Sequence, residues 1–169
     1  MGLQHLYNMH MLIMGILTWG VALYGFKVAF SGAPLVALVR ATPPPVLQQA
    51  AQVLTSDEDL EDEDASAFLR HFYYLSLGVL AMLGLELSLA AYFAWNEPKF
   101  ILPWLVAGKN LVVILVGWQW KQQHPESQLF AAVSSTPSWL MLLDRASHLV
   151  TGVIFVMLFL KLNRVWPGP

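Results

Sequence analysis

The stretch Ser138 to Lys161, SWLMLLDRASHLVTGVIFVMLFLK, constrains this chain more than any other. It is long enough to cross a bilayer as a helix, because ~20 apolar residues rising ~1.5 Å each cover ~30 Å of hydrocarbon. Yet it holds Asp144, Arg145, Ser147 and His148 within one and a half turns. A central Asp or Arg costs roughly 2.5 to 3.5 kcal/mol to insert, while each Leu or Val returns only a few tenths. The polar cluster is therefore expected to face other helices, and the rest of the chain must supply them.

Three further apolar segments do so, over about residues 6–30, 70–95 and 99–120, with the fourth over 138–161. The expected fold is all-α: one domain, an integral membrane four-helix bundle with both termini on one side. Its partner is the lipid bilayer, and other membrane subunits or a second copy of the chain are compatible with it. A hydrophobic fraction of 57% against 12% charged residues agrees, since a soluble domain carries about twice that charge. The start, MGLQHLYN, has neither a basic n-region nor a small-residue cleavage site, so the first segment is expected to be retained. The expected setting is a bacterial inner (plasma) membrane. Net charge −2 with no basic patch argues against nucleic acid. Basic residues divide almost evenly between the two sides, and Trp95, Trp104, Trp118, Trp120 and Trp139 fall near span ends, as an interfacial belt requires.

Residues 31–69 connect the first two spans. Pro34 and Pro43 to Pro45 break any continuous helix there, Val46 to Leu54 has the makings of a short one, and Asp57 to Asp64 is an acidic run. That run lacks the spacing and central Gly of a calcium loop and reads as a solvated segment. Asn96-Glu97-Pro98-Lys99 is short enough to make the second and third spans an antiparallel hairpin.

Counting from the span ends brings Glu86, Lys109 and His148 to nearly one level, close to the midplane. Glu86 and Lys109, opposite in charge on neighbouring helices, are expected to form an ion pair. Asp144 and His148 are i, i+4 on one face, so the carboxylate is placed to orient the imidazole. On the first span, His10 and Met14 are also i, i+4, with Met9 and Met11 beside them. The chain has no cysteine, which excludes disulfides, thiolate metal sites and c-type haem attachment. His and thioether are then the natural ligands for haem iron or Cu(I).

Several stretches resemble the four-helix membrane proteins of the copper-resistance D (CopD) type and their HemJ-type protoporphyrinogen oxidase relatives. The first span reads His10 … Trp19-Gly20 … Leu23-Tyr24, similar to that family's H…W..G..Y pattern. The second opens on Arg70 before an apolar run containing Gly84. The third, PWLVAGKNLVVILVGWQWK, has a central lysine and an aromatic–basic end, and the fourth opens LLDRASHLV. Lys27 is displaced from the family's basic position, and the acidic run is an addition. The resemblance implies a four-helix bundle, b-type haem near His10 and a catalytic or haem-contacting role for Lys109.

Three functions follow as expectations. In the first, the bundle binds haem b or takes part in membrane redox chemistry, with His10 and His148 as axial ligands held in place by Asp144. Lys109 and Arg145 then serve as catalytic cations that offset haem propionates or a quinone oxygen. The second is copper handling through His10 and Met14. In the third the chain is a non-catalytic accessory subunit, and Glu86–Lys109 is a structural pair.

Overall fold

In the computed structural model, which describes residues 2–55, 63–123 and 128–162, all regular structure among the described residues is helical. Four long helices carry the architecture: α1 (Gly2–Ser31), α4 (Glu63–Asn96), α5 (Ile101–Gln123) and α7 (Ser138–Leu162). Three short ones, α2 (Pro34–Ala41), α3 (Pro44–Thr55) and α6 (Leu129–Ser134), lie in the two longer connections. Three stretches are long and apolar enough to cross a membrane: His5–Ala41, which contains most of α1, then α4 and α7. Within α5 the apolar stretch Ile101–Val116 is shorter.

Two of the spans run beyond the expected ends. At ~1.5 Å per residue, α1 is about 45 Å long and α4 about 51 Å, against a hydrocarbon layer of ~30 Å. The extra length of α4 lies at its N-terminus. Glu63 and Asp64, the last two residues of the acidic run, form its first turn, where carboxylates complement the helix dipole. Residues 57–62 of that run lie outside the described residues.

The connection over 31–69, expected as a loop with a short helix over Val46–Leu54, is largely helical where it is described, and that helix lies within α3. Prolines that cannot continue a helix can begin one, because the first turn needs no N–H partner. Pro34 opens α2 and Pro44 opens α3 in this way. Gly32, at φ +84°, makes the turn out of α1. That value is readily reached only without a Cβ. Together α2, α3 and α6 pack on the N-terminal part of α4 around Val39, Ala50, Ala51, Phe68 and Phe130. The rings of Phe68 and Phe72 meet Phe130 edge-on at 5.1 and 5.3 Å between centroids. This cap closes the end of the bundle from which the long connections emerge.

The bundle proper is two antiparallel pairs. α1 lies along α7, and α4 lies along α5; contacts between the pairs are sparser. Their shared core joins Val21 and Ala22 of α1, Leu89, Ala90 and Phe93 of α4, Val106 of α5, and Phe155 and Leu158 of α7. The α1–α7 approach depends on glycine. A Cβ on Gly25 would lie 2.9 Å from the His148 carbonyl oxygen, and one on Gly152 would lie 3.1 Å from the Phe26 ring. Small residues that let backbones meet are the usual means of packing helices in lipid. At the opposite end from the cap, Lys161 of α7 pairs with Glu97 in the α4–α5 turn and sits 4.2 Å over the Phe100 ring.

The outward faces are apolar. Leu12, Ile16 and Leu23 on α1, Leu80 on α4 and the run Leu111–Val116 on α5 are all exposed. A continuous apolar exterior of this kind is what a lipid-facing surface requires.

Gly25→Ala should destabilise the protein by about 1–3 kcal/mol, the usual cost of forcing atoms into a packed contact. Gly20, where an added Cβ would meet nothing within 4 Å, is the control. Gly20→Ala should leave stability unchanged or raised by about 1 kcal/mol, since alanine is the better helix former. Thermal unfolding of the two variants in detergent separates them.

Candidate functional site

Glu86, Lys109, Asn110 and Thr151 form a single polar knot inside the bundle. The tight α4–α5 turn sets Glu86 across from Lys109 and Asn110, and α7 brings Thr151 to the same level. The Lys109 ammonium donates to Glu86 Oε2 at 3.0 Å and to Thr151 Oγ1 at 2.9 Å. Asn110 Nδ2 donates to the same Glu86 oxygen at 3.1 Å. The Thr151 hydroxyl in turn donates to the Ser147 carbonyl oxygen at 3.0 Å. Glu86 is only 2% exposed, and Asn110 and Thr151 are buried as well. A buried carboxylate is tolerable only when paired and hydrogen-bonded, and this one is both.

Lys109 is the member of the knot that reaches open space. Its side chain, 21% exposed, lines a cleft of about 1010 Å³ between α5 and α7. The two helices scarcely touch, so the cleft is the gap between the two helix pairs. Val112, Val113 and Val116 form one wall; Leu140 and Leu143 form much of the other. At the capped end the lining turns polar, with Arg40 from α2 and Asp144 and Arg145 from α7. Arg40 donates to the carbonyl oxygens of Ser134 and Thr136 at 3.4 and 2.9 Å, which fastens α2 to the end of α6. Its other side faces a smaller cavity of about 380 Å³ beside Pro44, Leu47 and Phe130.

The remaining expected residues are distributed more widely. Asp144 Oδ1 and His148 Nε2 stand 3.6 Å apart, close enough for electrostatic pairing but too long for a hydrogen bond. The imidazole presents to the edge of Tyr24 on α1, with centroids 6.2 Å apart, and its Nδ1 is buried without a partner. His10 is exposed, and its Nε2 meets Tyr92 Oη on α4 at 3.1 Å. Met14, one turn further along, is packed in the core at 8% exposure.

A haem bridged by His10 and His148 does not fit this arrangement. His148 lies beside Tyr24, and Tyr24 is fourteen residues from His10, or about 21 Å along α1. Axial ligands of one iron must approach within bonding distance from opposite faces of a ring. His10 and Met14 cannot serve instead as opposed ligands, because i and i+4 project from the same side of one helix. Among the described residues no cluster of three or more His, Asp or Glu could hold a metal ion.

Neither Thr151 nor Asn110 is among the residues expected from the sequence. The sequence does carry a signal for each. Asn110 adjoins the intramembrane lysine, and Thr151 follows Ser147 by one turn on the fourth span. No family model, curated protein or solved structure matches the chain.

Glu86→Leu or Lys109→Met alone should each cost ~3–5 kcal/mol, the penalty for stranding one buried partner of an ion pair. The double variant should recover more than half of the summed loss. A double-mutant cycle on unfolding in detergent measures the coupling; additive losses would show that the two side chains act independently.

Proposed function

We propose that this chain is an integral membrane protein of the bacterial inner membrane, a four-helix bundle that holds a lipid-soluble quinone in the cleft between α5 and α7 and so takes part in membrane redox chemistry. The observation that carries this reading is the state of Lys109. An ammonium group has three N–H donors. Glu86 and Thr151 accept two of them, which leaves the third for a ligand oxygen in the cleft. The Glu86 carboxylate compensates the ammonium charge, so the ligand at this point need not be an anion. A neutral carbonyl oxygen on an otherwise apolar molecule satisfies both the donor and the walls.

The valine and leucine walls suit a ring and an isoprenoid tail, since apolar lining with a few placed polar groups is the common form of a small-molecule site. When bound, the quinone supplies the electron carriage. The part of Lys109 is to hold and orient its carbonyl oxygen, and Glu86, Asn110 and Thr151 keep the lysine in place. The resemblance to CopD and HemJ-type proteins supports the bundle and a ligand-contacting lysine at this position. The wide separation of His10 from His148 is why we favour a quinone over a bis-histidine haem as the redox group.

Protein purified in mild detergent from a quinone-containing membrane should release a stoichiometric amount of quinone on organic extraction. The folded Glu86→Leu, Lys109→Met double variant should release little or none. Wild-type protein that retains no quinone after reconstitution with an excess of it would overturn the reading. A Soret band in the same preparation would return haem to first place.

A further inference from the structure

Arg145, like Arg40, is a cation of the cleft with no carboxylate partner among the described residues. It lies seven residues into α7 from Ser138, or about 10 Å along the helix axis. Its guanidinium packs against the α1–α2 turn, where a Cβ on Gly32 would lie 3.0 Å from Nη2. Among the described residues it makes no ion pair or hydrogen bond. Lys109 is matched by Glu86, and the Asp144 carboxylate stands nearest His148. Arg40, in the same wall of the cleft, gives Nη2 to two carbonyl oxygens and keeps its other N–H groups. The capped end of the cleft therefore offers two guanidinium forks against one carboxylate.

We infer that this end of the cleft binds the head group of an anionic phospholipid. The phosphate lies between Arg145 and Arg40, and the acyl chains run down the valine face of α5. Arginine suits the task because its planar donors match two phosphate oxygens at once. The surroundings point to a lipid rather than a soluble anion. Directly inside the two arginines the walls become Val112, Val113, Val116 and Leu143. The adjoining outer face of α5, Leu111 to Val116, is between 41 and 59% exposed, a ready bed for hydrocarbon chains. Trp118 and Trp139, both about two-thirds exposed, stand near the same end of α5 and α7, at the level where aromatic residues meet head groups. The inference shares with the proposed function the membrane setting and the valine wall of the cleft, but not the polar partner: the quinone oxygen belongs to Lys109, deeper in the cleft, and the phosphate to Arg145 and Arg40 at the capped end.

The test is native mass spectrometry of the full chain in detergent with equimolar phosphatidylglycerol and phosphatidylcholine of identical acyl chains. Wild-type protein should retain phosphatidylglycerol preferentially. Arg145→Gln should reduce that preference about tenfold, equivalent to ~1.4 kcal/mol. Arg40→Gln should weaken it as well, and Arg145→Lys should fall between, having the charge without the fork. Equal retention of the two lipids by wild-type protein would overturn the inference, as would an unchanged preference in Arg145→Gln. Inorganic phosphate that displaces the lipid at millimolar concentration would also overturn it, because the site would then recognise a free anion. If Arg145→Gln fails to fold, Arg145→Lys and Arg40→Gln decide the matter on the same readout. Quinone extracted from the wild-type sample keeps the two ideas apart: its absence there, together with a preference for phosphatidylglycerol, removes the quinone reading alone.

Discussion

A carboxylate buried in the middle of an apolar bundle dictates much of what surrounds it. Glu86 needs a cation and at least one further donor, and both must come from the adjoining helix at the same depth. The five-residue span from Asn96 to Phe100 makes this automatic, because so short a turn leaves little freedom in the register of α5 against α4. Lys109 and Asn110 arrive together, one for charge and one for hydrogen bonding. Thr151 then extends the knot to α7, so that a single buried group links three of the four long helices. In lipid, where apolar side chains gain little from leaving their surroundings, such polar ties and close backbone packing must supply the specificity that a hydrophobic core supplies in water.

The two helix pairs are held by different physics. Glycine and alanine join α1 to α7: Gly25, Gly152 and Ala22 let the backbones come nearly into contact. The tight turn and the polar knot join α4 to α5. Between the pairs the ties are few: the knot itself, the shared core around Phe155 and Leu158, and, toward the far end, His10 with Tyr92 and Lys161 with Glu97. The cleft opens where those ties stop. Its position is thus a consequence of where the helices do not pack, and its walls carry the cations Lys109, Arg40 and Arg145.

Much of this arrangement was legible in the sequence. Four apolar segments, the hairpin at Asn96–Lys99 and the shared level of Glu86 and Lys109 follow from counting at a fixed rise per residue. The Glu86–Lys109 contact follows from opposite charge on neighbouring antiparallel helices. The expected pairing of His10 with His148 did not survive, because the two lie far apart along α1 and α7. What could not be read was lateral: which face of each helix meets which neighbour. Asp144, Arg145 and His148 look like one cluster along the chain, yet α7 directs His148 toward Tyr24 on α1 and lines the cleft with Asp144 and Arg145. The cap was hidden for another reason. Prolines signal where helices stop more plainly than where new ones start, so Pro34 suggested a break where α2 begins, whereas the short helix expected over Val46–Leu54 is present within α3. Gly25 was visible as a small residue, but only the partner backbone of Gly152 explains why it must be small.

The close seam between α1 and α7 also decides how the protein can move. Backbones separated by little more than a van der Waals contact cannot slide or part without losing the whole seam, so this pair behaves as a fixed jaw. Widening the cleft means moving α5 away from α7, with the Glu97–Lys161 tie holding the far end. Because α5 reaches α7 through the Lys109–Thr151 hydrogen bond of 2.9 Å, a wider cleft at that level lengthens this bond. In this geometry the width of the cleft and the placement of the Lys109 ammonium depend on the same contact.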